Sequence, residues 1–454
     1  MLSLKANQRK FYKEIWDVAL PISMQSLLQY ALGMVDQVMV GQLGETIIAS
    51  VGLGGRLTFV YIVGVMGLAN GAGVFIAQYW GKKEKDKISY LVGDLLKIGF
   101  LVMLLGIALS VFFPSQILSL FSNDPEVIHY GGLYQQIVAV GFPAILLSGA
   151  YSSSLRSIGK AKLVMQLSFI KVIVNTVANY WLIFGGFGVP ALGMEGAAWA
   201  TVISMWVEAI ALWGIMQWKK YPGNVKRIHL FHFDKSTIYP LLSVSAPLIV
   251  GDMSWAIGET CYSMIYGKMG TVDIAAMTMT LPLQMLSVGF FMGLASAAAI
   301  VIGYELGQNN ILKAKVYATK LLKLTFLSSL LVALFIAVVT PFYIKLYQIT
   351  DEVAIITIEL CYIFAFLLPC KMSNFILAAG ILRSGGDTKF TTGLGMFSTW
   401  IFSIPLGVIG AFVFDLSIFW VYIIVSLEEY LRLVLYLWRK NSGKWAKNLV
   451  GNTQ

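Results

Sequence analysis

The sequence predicts an all-α integral membrane protein with twelve transmembrane helices in two six-helix lobes related by a pseudo-twofold axis. Three observations carry that prediction. Of 454 residues, 58% are hydrophobic and only 12% are charged, with a mean hydropathy of +0.76, whereas a soluble domain carries roughly 25% charged residues. Apolar runs of membrane-spanning length recur along the whole chain. The chain also repeats itself at a spacing of 226 residues: Pro21 answers to Pro247, Gly41 and Gly44 to Gly267 and Gly270, Met66-Gly67-Leu68-Ala69 to Met292-Gly293-Leu294-Ala295, and Gly81 to Gly307. Later in each half, Leu155-Arg156-Ser157 with Gly159 and Lys162 matches Leu382-Arg383-Ser384 with Gly386 and Lys389, one residue further on. Tandem repeats of this kind in a membrane chain are the architecture of transporters.

The apolar segments fall near 15–40, 48–80, 90–113, 130–155, 162–184 and 194–218, then 238–267, 272–305, 317–340, 354–382, 390–412 and 415–438. A window of about 20 residues suffices to cross a bilayer, so the longer runs imply tilted helices that project beyond it. Residues 1–218 form the first lobe, 219–237 a linker, 238–438 the second lobe and 439–454 a tail. Gly and Pro within the runs suit helices better than alternating barrel strands. Cys261, Cys361 and Cys370 lie in apolar runs with no paired spacing, and read as small core residues. The N-terminus is basic but has no cleavable signal pattern.

Charge fixes the expected orientation. The N-terminus, alternate loops and the C-terminus together hold 25 Lys and Arg, while the other loops hold only Lys268 and Lys345. By the positive-inside rule both termini are cytoplasmic in a multi-pass protein of the cell membrane. The net charge of +10 is accounted for by this topology and calls for no nucleic-acid partner. Both halves then begin and end on the same side, so the repeats are parallel. His229 and His232 in the linker stand three apart and read as solvated residues rather than a metal site.

Few ionisable residues lie deep in the runs. Asp36 sits near the middle of the first. An acid at a helix centre costs about 2.5–3.5 kcal/mol, and such residues face protein or a wet cavity. Asp36 is therefore a functional candidate, the alternative being a structural acid satisfied by polar neighbours. Asn175 and Asn179 are one turn apart and share a face of the fifth helix. In the second half the position matching Asp36 is Tyr262, and the acid, Glu259, precedes it by three residues. Lys371 lies about 15 Å inside its helix end, at 1.5 Å per residue, and needs a carboxylate partner, Glu259 or Glu359. Lys171 with Glu208, and Asp94 with Lys97, read as structural ion pairs.

These landmarks resemble the multidrug and toxin extrusion (MATE) family, on its NorM-like branch, over nearly the whole chain. The resemblance rests on MVDQVMVGQLG (Met34 to Gly44), on LRSIGKAK (Leu155 to Lys162), on LRSGGDTK (Leu382 to Lys389), which is similar to the family's LRGxGDT signature, and on NTVANYWLIFGGFGVPALGMEGAAWAT (Asn175 to Thr201). It implies a V-shaped pair of lobes and alternating-access export of organic cations in exchange for protons or sodium. It also implies a cation-coupling site in the first lobe at Asp36, Asn175, Asn179 and Thr201, and a substrate or cation role for Glu259. The family's second acid, in the tenth helix, is replaced here by Met372 beside Lys371, so the second-lobe site would be Glu259, Tyr262 and Lys371.

One carboxylate with amide and hydroxyl oxygens suits a hard cation such as sodium at Asp36, and a buried carboxylate suits a proton equally well. The residue types do not choose between them, and no other metal and no cofactor is called for. The resemblance suggests that a monomer suffices, with small organic cations as cargo. The alternative within the superfamily is a flippase for lipid-linked precursors, which wants a cluster of cavity arginines; Arg56, Lys171 and Lys371 are the only deep basic candidates. A channel filter and an intramembrane catalytic cluster are both without a matching pattern.

Overall fold

The computed structural model describes residues 2–122, 124–186, 188–226, 235–345 and 350–451, with side chains described except at 2–11, 34, 45, 235, 236 and 271. Residues 227–234, and with them His229 and His232, lie outside the described set. Every regular element is helical: α1 (Leu2–Gly41), α2 (Glu45–Lys82), α3 (Lys85–Phe112), the short α4 (Pro114–Leu118), α5 (Pro125–Ala139), α6 (Phe142–Ser157), α7 (Ala161–Phe184), α8 (Gly193–Lys219), α9 (Lys235–Met269), α10 (Thr271–Gly307), α11 (Ile311–Ile344), α12 (Asp351–Phe375), α13 (Thr388–Met396), α14 (Ile404–Phe412) and α15 (Ile418–Ser442). Two π-helical stretches are spliced in, Ile376–Leu382 extending α12 and Phe397–Ser403 joining α13 to α14. Such bulges concentrate at functional sites.

Ten helices among the described residues are long and apolar enough to cross a membrane, and the pair α5 and α6, bent by 49°, counts as an eleventh span. The expected segment at 130–155 is thus a broken one. Pro143, in the first turn of α6, has no N–H to offer the preceding turn. The twelfth expected segment, 415–438, falls on α15, whose apolar run is interrupted by Glu428, Glu429 and Arg432.

The chain divides into two compact units. One, here the N-terminal unit, comprises residues 24–249; the other, the C-terminal unit, comprises residues 1–23 with 250–452. Both boundaries fall two residues after a repeat-related proline inside a helix, Pro21 in α1 and Pro247 in α9. The opening residues of each expected lobe therefore pack with the later helices of the other half.

The repeated Met-Gly-Leu-Ala motif marks that packing in each unit. A Cβ added at Gly67 would meet Ile249 Cγ1 at 2.6 Å and its Cα at 3.2 Å, and one at Gly293 would run into the Ala19 carbonyl oxygen and lie 2.8 Å from the Ser23 nitrogen. Only glycine lets the helix backbones approach so closely. Ser23 donates to the Phe290 carbonyl at 2.6 Å beside it. Gly293→Ala is expected to destabilise the protein by about 1–3 kcal/mol through overpacking against backbone that cannot yield, read as a lowered melting temperature in detergent.

The two arginine loops share a backbone. Gly159 and Gly386 both take positive φ, 80° and 77°, and the N–H of each donates to the carbonyl of the loop arginine, Arg156 at 3.0 Å and Arg383 at 2.9 Å. A left-handed residue after the helix end is a conformation glycine adopts without penalty. In the second loop Asp387 receives Arg439 through two hydrogen bonds, at 2.6 and 2.9 Å, and the tail folds back so that Trp445 is fully buried.

Candidate functional site

In the N-terminal unit, one face of α7 carries Ser168, Lys171, Asn175 and Asn179 at spacings of three and four, and α8 lies along it. The helical period places all four side chains in one row. Lys171 Nζ donates to Glu208 Oε2 at 2.9 Å and Ser168 Oγ donates to Glu208 Oε1 at 2.7 Å, while Gln25 Nε2 donates to Ser168 Oγ at 2.8 Å. This is the structural ion pair expected at Lys171 and Glu208. Asp94 and Lys97 also pair, at 2.5 Å.

One turn further along, Asn179 Nδ2 donates to Asp36 Oδ1 at 2.6 Å and is 3.0 Å from Asn175 Oδ1. Asn175 Nδ2 reaches Ser204 Oγ at 3.4 Å, and Ser204 Oγ donates to the Thr201 carbonyl at 2.8 Å. Thr201 Oγ1 spends its proton on the Ala197 carbonyl at 3.0 Å, which leaves its oxygen as an acceptor. Tyr134 stands beside Thr201 and within the field of Asp36. The four residues expected from sequence are therefore brought together. Among the described residues Asp36 makes no salt bridge, and the buried Asn179 Oδ1 has no hydrogen-bond partner. An unpaired carboxylate and an orphaned amide oxygen form a donor set short of one cation. That set fits either ion, since sodium takes oxygen ligands and a proton needs only the carboxylate.

A cleft of about 570 Å³ opens beside this row, lined by Val35, Val38, Met39 and Gln42 of α1 and by Tyr180 and Phe184 of α7. Its wall is apolar and aromatic, and Asp36 and Asn179 are the next residues along the same two helices.

The C-terminal unit is arranged differently from expectation. Glu259 on α9 is exposed and Tyr262 is buried. Lys371 on α12 does not pair with Glu259 or Glu359; its nearest carboxylate is Glu429 on α15, at 4.0 Å. The correction has a simple cause, because α12 packs along α15 and Glu359 points to the exposed side of α12. Beside it Glu428 pairs with Arg432 at 3.0 Å, Arg432 donates to Thr399 Oγ1 at 2.7 Å and also to Ser398 Oγ, and Asn374 Nδ2 donates to Glu429 Oε2 at 2.8 Å. Glu428, Glu429 and Arg432 were not among the sequence candidates. Met372, in the position of the family's second acid, is buried.

The sequence model of the MatE family matches residues 21–181 and again residues 247–409, each match starting at a repeat-related proline. The chain belongs to the MatE family. This MatE protein is a multi-pass membrane transporter and not an enzyme. Among solved structures it is similar to a MATE protein in its bent conformation, with a TM-score of 0.87 at 20% identity over 96% of each chain. It is similar also to an outward-facing multidrug resistance MATE family transporter of the MOP superfamily, with a TM-score of 0.84 at 21% identity over 95% of this chain and 96% of that one. A third similar chain is a MOP superfamily transporter from Pyrococcus furiosus, described as having a binding pocket of reverse polarity that suggests a different function; the TM-score is 0.83 at 20% identity over 95% and 96%. At these identities the likeness concerns the fold.

Proposed function

We propose that this MatE transporter exports organic cations by alternating access in exchange for a proton or sodium ion. The observation that carries the reading is the unpaired Asp36 carboxylate on a membrane helix, hydrogen-bonded to Asn179 with the buried Asn179 oxygen unsatisfied. A charge held there is costly when the cation in its field, Lys171, is bonded to Glu208 instead. A cation at Asp36, Asn175, Asn179 and Thr201 removes that cost, and its arrival and departure provide a coupling step. The adjoining cleft, with Tyr180 and Phe184 in its wall, offers the apolar and aromatic surface that lipophilic cations favour. In the C-terminal unit Glu259, Tyr262 and Lys371 are assigned to cargo binding. The protein works as a monomer in the cell membrane with both termini cytoplasmic, and needs no cofactor.

The energetics suffice. One charge crossing 100 mV is worth about 2.3 kcal/mol. The test is efflux of a fluorescent organic cation from proteoliposomes under an imposed pH gradient or an imposed sodium gradient. One of the two gradients is expected to drive efflux and so name the ion. If neither does, the antiport reading fails and a lipid-linked cargo becomes the substrate to assay.

A further inference from the structure

Four of the buried polar atoms in the N-terminal unit that have no hydrogen-bond partner among the described residues lie at one level of α2, α3 and α5: Thr58 Oγ1, Ser110 Oγ, and Nε2 and Oε1 of Gln135. Ser110 and Gln135 are fully buried, and Thr58 is nearly so. Contacts one turn away set the level. A Cβ added at Gly54 would meet the Gly131 carbonyl oxygen at 2.5 Å, so the faces of α2 and α5 that meet there carry Thr58 and Gln135 four residues further on. A Cβ at Gly106 would lie 3.5 Å from Tyr61 and 3.0 Å from Phe142, and Ser110 follows on that same face of α3. Gln136 Nε2 donates to the Val111 carbonyl at 3.2 Å, holding α3 and α5 together at this height. Hydroxyls on these helices commonly donate to the carbonyl one turn back, as Ser50 does to Thr46 and Thr201 to Ala197. Those of Thr58 and Ser110 do not.

We infer that Thr58, Ser110 and Gln135 enclose a binding site for one or two water molecules, which join α5 to α2 and α3. A buried amide or hydroxyl without a partner is costly, and native interiors avoid it. Three polar side chains at one level that do not bond to one another are bridged by water, which typically makes about three hydrogen bonds when buried. The chemistry selects water over an ion. Gln135 Nε2 needs an acceptor, which a cation is not, and Gln135 Oε1 needs a donor, which a simple anion is not. Water serves both, and the two hydroxyls take either role. The set contains no carboxylate and no other titratable side chain, so it takes up no coupling ion and is distinct from the Asp36 row. Tyr134, which stands beside Thr201, precedes Gln135 in the chain but projects about 100° away around α5. The site lies just before the 49° break, since α5 ends at Ala139, four residues after Gln135. Water is thus the link that ties the outer half of the broken span to its neighbours. The inference is independent of the cation-export reading.

The test is magnetisation transfer from water to the Gln135 side-chain amide, read by solid-state NMR on the full chain in lipid bilayers with only the glutamine amides isotopically labelled. The signal is assigned by its loss in Gln135→Leu, or in Gln135→Asn if the leucine variant does not fold. Wild type is expected to show transfer to this amide, although its burial shields it from bulk solvent. Thr58→Val combined with Ser110→Ala removes two of the four polar atoms and should abolish most of the transfer; Thr58→Val alone takes its place if the double variant does not fold. Transfer should be the same in sodium and in choline buffer. No transfer in wild type would mean a dry site and overturn the inference. Transfer unaltered in the variant would place the water elsewhere and overturn it equally. Transfer that depends on sodium would assign these oxygens to a cation instead of water.

Discussion

Asp36→Asn is expected to slow gradient-driven export by about a hundredfold or more while leaving the protein folded. The substitution keeps the shape of the side chain and an oxygen to accept from Asn179, whose Nδ2 lies 2.6 Å from Asp36 Oδ1. It removes the charge alone. No Lys or Arg is paired with Asp36 among the described residues, so no ion pair is broken, and a membrane helix relieved of a carboxylate is stabilised rather than weakened. A hundredfold loss corresponds to about 2.7 kcal/mol, within the worth of a charge that binds a cation in a low-dielectric site. Initial efflux rates from proteoliposomes, with the melting temperature of the same preparations, check both halves. Near-normal export would return Asp36 to a structural role. A large fall in melting temperature would assign the loss to folding.

Arg432→Gln should do the opposite, destabilising first and transporting poorly as a consequence. Arg432 and Glu428 are only 16% and 10% exposed, and removing one partner of a buried pair leaves an uncompensated charge costing about 3–5 kcal/mol. The defect is expected to shrink at low pH, where Glu428 escapes by taking a proton. Adding Glu428→Gln should recover most of the lost stability, since the pair is then replaced by two neutral amides. Unfolding titrations of the single and double variants in mixed micelles measure this as a coupling energy. Additive effects would mean that Arg432 acts through Ser398 and Thr399 instead.

Much of this was readable from residues. The 226-residue repeat and the apolar runs located the spans, and the prolines at 21 and 247 turned out to mark the unit boundaries as well as the repeat. That Asn175 and Asn179 share a face was legible because their spacing matches the helical period, whereas their place beside Asp36, like that of Thr201, came from the family resemblance; Lys171 with Glu208 was legible because two opposite charges deep in adjacent helices can pair. The charges of α15 were overlooked for a physical reason: averaged over a window, Glu428, Glu429 and Arg432 are diluted by the apolar residues around them. The local signal was there, since Glu428 and Arg432 stand one turn apart. The partner of Lys371 was not legible, because Glu429 lies 58 residues on and only the packing of α12 along α15 brings it near. Nor was it legible that residues 1–23 and 238–249 each pack with the later helices of the other half. That depends on close approaches at Gly67 and Gly293 which no local pattern encodes.

The most direct test of the central claim is to count the cations held by the purified protein in the absence of cargo. Sodium binding by calorimetry and proton binding by potentiometric titration would be measured on wild type and Asp36→Asn side by side. The account predicts that the variant binds one fewer cation per chain, of the same kind that drives efflux. Equal numbers bound by the two proteins would contradict it.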